Sequence, residues 1–256
     1  MENLAIQVLT AKSGETHIFS VGQAGYIIKS AGGQLLGIDM YLSECVERVE
    51  GHVGFKRLLP KILEPFDLNF DVVIATHPHY DHFDMDAIPQ LMSNSKTTLF
   101  ASVNCEQEVQ RLLMSNERTF YVKPGDTHEI GDFQLDFVTC DHGMGAPDAV
   151  GVVITVDGKK IFEAGDTCLR LDRVDEYLSK GPFEVLIAPI NGAYGNLNEE
   201  DCARFSNALN PKVTIPCHYG MFASHGGNPG LFKEIMDKKY PNRNYLLMAM
   251  GEQYTL

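Results

Sequence analysis

The run Thr76-His77-Pro78-His79-Tyr80-Asp81-His82-Phe83-Asp84 constrains the fold more than any other part of the chain. It places three imidazoles and two carboxylates directly behind Asp71-Val72-Val73-Ile74-Ala75, an apolar run too short for a typical helix and rich in β-branched residues. That run reads as a buried strand, so the polar cluster is delivered at a strand end. His77 and His79 are two apart, and in extended backbone their side chains leave the same face. Pro78 favours this geometry by keeping His77 out of the helical region. A turn after His79 then brings Asp81 and His82 to face a second point. A polar surface loop is the plain alternative, but four ligand-type side chains within residues 77–82 argue for a metal site. Nitrogen and carboxylate donors without thiolate suit Zn2+, Mn2+ or iron.

Three distant segments offer further ligands in the same setting. Thr139-Cys140-Asp141-His142-Gly143 follows the alternating run Phe133 to Val138, and Glu163-Ala164-Gly165-Asp166-Thr167 ends another strand. Ile215-Pro216-Cys217-His218-Tyr219-Gly220 does the same for His218. Each alone reads equally well as an ordinary hydrogen-bonding residue. Together with the first cluster they give seven candidate ligands, enough for two adjacent metals with a bridging carboxylate. Cys140, Cys168 and Cys217 adjoin these residues, and strand alternation turns them to the opposite face as packed apolar groups.

The remaining pattern is that of a mixed α/β chain. Thr16 to Ile38 reads as short strands, with Gly32-Gly33 at a hairpin turn. Further strands are expected at Thr98 to Ala101, Phe133 to Phe137, Val150 to Val156, Lys160 to Glu163, Val185 to Ala188 and Val213 to Ile215. Asp157-Gly158 marks a hairpin, and Tyr245 to Met248 reads as a strand closing a sheet. Helices are expected over Glu44 to Glu50, Phe55 to Leu63 (broken at Pro60), Asp86 to Met92 and Leu171 to Leu178. Asn104 and Gln107 suggest a capping box ahead of Val109. Asn198 caps a helix through Leu209, and Asn228-Pro229 opens another running to about Lys239.

Composition then excludes several classes. Apolar residues make up 44% of the 256 residues, which rules out a disordered chain. A formal net charge of -13 leaves no basic footprint for nucleic acid or an anionic membrane. No apolar run approaches the length of a membrane span, and Met1 to Thr10 lacks the pattern of a secretion signal. The six cysteines form no CxxC pair and are expected as reduced thiols. A cytoplasmic protein and one compact unit over residues 1–256 are the expectation. Neither a Gly-x-Ser-x-Gly nucleophile motif nor a phosphate-cradling GxxxxGK loop is present.

The pattern His77, His79, Asp81, His82 matches the HxHxDH signature, and the chain resembles the metallo-β-lactamase superfamily over essentially its whole length. That resemblance implies a four-layer αββα sandwich with the metals at one edge. It implies that His77, His79 and His142 hold one metal, that Asp81, His82 and His218 hold a second, and that Asp166 bridges them. Gly22-Gln23-Ala24-Gly25, Ile38-Asp39-Met40-Tyr41-Leu42-Ser43 and Pro189-Ile190-Asn191-Gly192 are similar to the L-ascorbate-6-phosphate lactonase-like branch. Members of that branch are cytoplasmic homo-oligomers resembling manganese-dependent phosphosugar lactonases. Ser20-Val21 and Ala193-Tyr194 depart from its pattern in segments that bear on the substrate and not on the metals.

The resemblance thus implies hydrolysis of a lactone of a small sugar acid, with or without a phosphate, such as L-ascorbate 6-phosphate. One or two divalent ions, Mn2+ or Zn2+ with iron as a further option, would supply hydroxide as the nucleophile. Asp81, with His79 and Asp166, would orient that nucleophile or carry its proton. Arg57, with Lys56 and Arg170, is a candidate partner for an anionic substrate. Asn191, Tyr194, Tyr219 and His225 are candidate pocket residues, whereas His17, His52 and His128 read as surface or turn histidines. The rival readings are a small-molecule phosphodiesterase on the same centre and a non-catalytic metal-binding protein. The lack of a flavin-binding extension counts against di-iron oxygen chemistry.

Overall fold

The computed structural model describes residues 3–256. The first sheet contains β1 (His17–Gly22), β2 (Gly25–Lys29), β3 (Leu35–Ile38), β4 (Val72–Ala75), β5 (Thr98–Ser102) and β6 (Thr119–Val122). The second contains β7 (Thr127–Ile130), β8 (Phe133–Thr139), β9 (Val150–Val156), β10 (Lys159–Glu163), β11 (Val185–Pro189) and β12 (Val213–Cys217). A last strand, β13 (Gln253–Thr255), returns to the first sheet, giving the orders β13-β1-β2-β3-β4-β5-β6 and β12-β11-β10-β9-β8-β7.

Two-residue periodicity explains why both faces of each sheet are covered. Along β4, Val72 and Ile74 enter the core between the sheets, while Val73 and Ala75 face the opposite way into a second core. That second core is filled by α1 (Leu4–Thr10), α3 (Ala87–Leu91) and α4 (Glu106–Arg111), through residues such as Val8, Ile88 and Val109; α2 (Cys45–Glu50) packs beside them. Along β11, Val185 and Ile187 meet the inter-sheet core, and Leu186 and Ala188 face α5 (Val174–Leu178), α6 (Glu199–Leu209) and α7 (Pro229–Lys239). The result is the expected αββα sandwich. No helix among the described residues is long and apolar enough to cross a membrane.

Strand direction decides where the chemistry sits. β3 to β6 are parallel, and β1 runs with β3 because both are antiparallel to β2. Likewise β10 to β12 are parallel, and β8 runs with them because β8 and β10 are both antiparallel to β9. The C-terminal ends of β1, β3, β4, β8, β10 and β12 therefore deliver Gln23, Asp39, His77, His142, Asp166 and His218 to one edge.

Several local expectations are corrected. Phe55 to Leu63 is not a helix: it lies extended beside 221–223, where Leu58 N donates to Met221 O (2.8 Å) and Arg57 bridges Phe222. Asn104 falls inside a 3-10 turn, Val103–Cys105, so α4 starts at Glu106 with no side-chain cap. Leu171 to Leu178 begins as a 3-10 turn over Leu171–Arg173 before α5. Tyr245 makes one bridge to Thr214, and it is β13, pairing with β1, that closes the first sheet. His17 is buried in β1, its Nε2 donating to Lys12 O (2.8 Å) and its Nδ1 meeting Thr255 Oγ1 (2.9 Å). All six cysteines are free, and Cys168 alone among them is not fully buried.

Gly165 is the bend that turns β10 into the site. It has φ +66°, and a Cβ there would lie 3.0 Å from Val150 O and 3.1 Å from Cys140 Sγ. Gly14 has a similar positive φ (+84°) but open space around it. Gly14→Ala is expected to cost about 1–2 kcal/mol from backbone conformation alone. Gly165→Ala is expected to cost more, because backbone and sulfur must also move; urea unfolding of the two variants side by side checks the order.

Candidate metal centre

The first half of the site is organised by Thr76 and Asp39. Thr76 N donates to Asp39 Oδ1 (2.8 Å), and Thr76 Oγ1 donates to Asp39 Oδ2 (2.6 Å). With its proton committed, the Thr76 hydroxyl accepts from His77 Nδ1 (3.1 Å), which leaves His77 Nε2 as a bare lone pair. The same Asp39 Oδ2 receives His82 Nδ1 at 2.6 Å, so His82 also turns Nε2 into the site. Between them the chain reverses, with His82 N and Phe83 N both donating to His79 O (2.9 and 2.7 Å). Asp84, the last carboxylate of the cluster, is not a ligand: it is fully buried and accepts from the N–H groups of Leu42, Ser43, Asp86 and Ala87.

The structure brings all seven candidate ligands into overlapping groups whose donor atoms lie within 4.8 Å of one another. His79 Nδ1 is 2.9 Å from His77 Nε2 and 3.2 Å from His142 Nε2. One proton on Nδ1 can satisfy one of these contacts at most. A cation about 2.0–2.1 Å from each nitrogen satisfies all three, and tetrahedral coordination puts the nitrogens about 3.3 Å apart. Alongside, His218 Nε2 lies 3.3 Å from Asp81 Oδ2 and 3.1 Å from Asp166 Oδ2. His82 Nε2 is 3.6 Å from Asp81 Oδ2 and 3.5 Å from Asp166 Oδ1. Asp166 reaches the first group as well, with Oδ2 3.8 Å from His142 Nε2. The donor set fits two divalent cations of the nitrogen- and oxygen-preferring kind.

The protein's own charges make the two halves unlike. Burial pushes His77 well down and holds His142 at about 4, despite the carboxylate of Asp166 nearby. Burial also opposes the charged form of His218, but Asp166 and Asp81 outweigh it and raise this imidazole to about 9. His82 is raised in the same way by Asp166, Asp81 and Asp39. In return His82 and His218 hold Asp81 and Asp166 well below the usual carboxylate range although both are buried. Beneath this floor, burial pushes Glu163 well up; its Oε2 accepts Gly165 N (3.0 Å) and its Oε1 has no partner.

A cavity of about 450 Å³ opens over His79, Asp81, His142, Asp166 and His218. Tyr194 and His225 line it. Asn191 stands behind the site: its Oδ1 accepts from Asn196 Nδ2 (3.1 Å), which also donates to Asp166 Oδ2 (2.8 Å). Tyr219 lines a separate pocket with Gln23 and Met250. Arg57 is buried away from the cavity, donating to the carbonyls of Ser43 (2.7 Å) and Leu59 (2.8 Å) and stacking over Tyr41. Lys56 pairs with Glu47, and Arg170 with Asp141 and Asp172.

Sequence reasoning missed Gln23, Asp39, Asn196 and Glu50 as site residues. Gln23 sits at φ 56° after β1, its carbonyl accepting His218 N (2.9 Å). Its Nε2 donates to Asp81 Oδ2 (2.8 Å) and to His225 Nδ1 (3.1 Å). The signal for Gln23 and Asp39 was their position at strand ends, next to glycine in one case and after a buried apolar run in the other.

A family model described as a beta-lactamase superfamily domain matches residues 44–219. A relative from Escherichia fergusonii, named "Probable L-ascorbate-6-phosphate lactonase UlaG", is 24% identical over 92% of this chain and 79% of its own length. Among solved structures, Igni18, a metallo hydrolase from Ignicoccus hospitalis, superimposes with a TM-score of 0.73 at 21% identity, covering 94% of this chain and 98% of that one. CmlA, a diiron β-hydroxylase from Streptomyces venezuelae, superimposes with a TM-score of 0.69 at 15% identity, over 96% of this chain and 54% of that one. The strand-end ligands, the αββα layers and the matched residues agree: the chain belongs to the beta-lactamase superfamily and has its metallo-β-lactamase fold.

Proposed function

We propose that this protein is a metal-dependent hydrolase that opens a small lactone. The observation that carries the reading is the shared position of Asp166 between two sets of convergent donors at the floor of a cavity large enough for a small substrate. Two divalent cations held there, by His77, His79 and His142 and by Asp81, His82 and His218, would supply a nucleophile at neutral pH and neutralise charge building on a carbonyl oxygen. Mn2+ and Zn2+ both suit this donor set. The names of relatives such as the Escherichia fergusonii protein support a lactone as the substrate class.

The chain's own residues then have separable tasks. Gln23 fixes Asp81 through Oδ2, leaving its other oxygen to orient the nucleophile and take its proton. Asn196, backed by Asn191, fixes Asp166 in the same manner. Because His225 Nδ1 accepts from Gln23, this ring carries its proton on Nε2, and burial beside His218 holds it neutral with a pKa of about 4. His225 is thereby a hydrogen-bond donor for a substrate oxygen. Arg57, Lys56 and Arg170, the candidate partners of a phosphate, do not line the cavity, which favours a lactone without a phosphate.

A panel of neutral and charged lactones, including that of L-ascorbate 6-phosphate, tests this with Mn2+- and Zn2+-loaded protein. Turnover of at least one at a kcat/KM of about 10⁴ M⁻¹s⁻¹ or more is expected. It should fall at least about 10³-fold in His79→Ala, which removes the nitrogen shared by two contacts. Metal-loaded protein that opens none of the panel would refute the lactonase reading.

Metal binding should also be pH-dependent in one half only. His218 is raised to about 9 and carries a proton at pH 7 that a cation must displace. Affinity at the His82 and His218 site should therefore rise at least about tenfold per pH unit between pH 6 and 8. His142, held at about 4, is already neutral over that range, so the His77, His79 and His142 site should bind with nearly constant affinity. Chelator competition across pH resolves the two sites.

A further inference from the structure

Above the metal floor the cavity wall is aromatic and acidic. The rings of Phe55, Tyr194 and His225 form a triangle with centroids 5.3–5.6 Å apart, and Tyr80 lines the same space. Besides the floor carboxylates, the charged side chains of the lining are Glu50 and Glu108, and no Lys or Arg lines it among the described residues. Glu108 is neutralised by Arg111. Glu50 is different. It stands at the junction of α2 and the 3-10 turn Gly51–Val53, caps neither, and has no hydrogen bond or ion pair among the described residues. The arginine on its own helix, Arg48, is turned away to Asp86 (2.5 and 2.9 Å).

An unpaired carboxylate facing a partly dry cavity repels anions and attracts cations. Aromatic faces add to this for an organic ammonium, and give no such gain to a phosphate or carboxylate. With cations at the floor and Glu50 at the wall, the cavity is polarised along its depth. A molecule with an ester carbonyl at one end and an ammonium at the other matches that polarity. So does its hydrolysis product, a zwitterion.

We propose that the cavity selects substrates bearing an organic ammonium group, held by the Glu50 carboxylate and the Phe55 and Tyr194 rings while the ester carbonyl lies over the floor. The inference rests on the hydrolase reading for the carbonyl end, and on the cavity wall alone for the ammonium end. Glu50 is then a specificity-determining residue and not a catalytic one.

Two matched pairs of probes separate the two ideas. In each pair a permanent trimethylammonium is exchanged for an uncharged tert-butyl group of the same shape. The first pair is γ-(trimethylammoniomethyl)-γ-butyrolactone and γ-neopentyl-γ-butyrolactone, whose substituent stands on the far side of the ring oxygen from the carbonyl, followed by kcat/KM with Mn2+-loaded protein. The Glu50→Gln variant should lower the cationic-to-neutral ratio of kcat/KM by about five-fold or more, mostly through KM. Comparing the ratio between proteins cancels the intrinsic reactivity of each lactone. The second pair is choline and 3,3-dimethylbutan-1-ol, titrated by calorimetry. Choline should bind at least about five-fold more tightly to the native protein, with that advantage reduced but not abolished in Glu50→Gln, which keeps the rings and removes the charge. Circular dichroism confirms that the variant is folded. If neither lactone is opened, calorimetry with choline and its isostere still decides the ammonium proposal, and the wider lactone panel decides the lactonase reading. Equal binding of choline and its isostere, or a ratio untouched by Glu50→Gln, overturns the proposal. So does faster opening of a phosphorylated lactone than of the cationic one.

Discussion

A single buried carboxylate, Asp39, holds the two halves of the HxHxDH segment in place. Taking a carboxylate fully out of water is costly unless its oxygens are hydrogen-bonded. Here they receive Thr76 N–H, Thr76 O–H and His82 Nδ1, two of the three at 2.6 Å. The consequence spreads outward. Fixing the Thr76 hydroxyl sets the tautomer of His77, and binding His82 directly sets the tautomer of a residue in the other half of the centre. Two imidazoles belonging to different ligand sets are thus aimed by one residue at the end of the adjacent strand, which ties β3 to β4 at the point where the sheet becomes a site.

That arrangement needs a rigid platform, and the hydrophobic periodicity supplies it. Strands with apolar residues on both faces have to be covered twice, and the two sheets cover one another on one side while helices cover the other. The segments leaving the C-terminal ends are then anchored at their roots. Gln23 and His218 show the effect from opposite sheets: the backbone carbonyl of one accepts the backbone N–H of the other across the gap. Candidate ligands separated by as many as 141 positions in sequence, His77 and His218, are held in one centre without any covalent tie.

How much of this was legible in the sequence follows from where each residue finds its partners. His77, His79, Asp81 and His82 are a local pattern, and helix caps such as Asn198 and Asn228 act within three residues, so all could be read directly. Strand periodicity located β4, β8, β9 and β11 for the same reason. Gln23 and Asp39 could not be read this way, because their partners lie 58 and 37 positions away and become partners only once the sheets form. Arg57 illustrates the converse. A basic residue near a polar segment suggests an anion site, but its guanidinium serves the carbonyls of Leu59, in the extended segment that replaced an expected helix, and of Ser43 before α2. Local propensity there was overridden by pairing with residues 221–223.

The fold by itself leaves the reaction open, since a diiron β-hydroxylase shares it. Discrimination has to come from charge around the centre. Protonated His82 and His218 between Asp81 and Asp166 describe a site that exchanges protons for metal, while the neutral imidazoles around His79 describe one that does not. Farther out, the same arithmetic applies to the substrate. The chain carries a formal charge of -13, and the one uncompensated charged side chain on the cavity wall among the described residues is another carboxylate, so the far field and the near field both favour approach of a cation. A phosphorylated ligand would have to cross both to reach the floor. An ester that carries its positive charge at the far end is drawn in by them, and it is oriented on arrival, because only one direction puts its carbonyl over the metals and its ammonium beside Glu50.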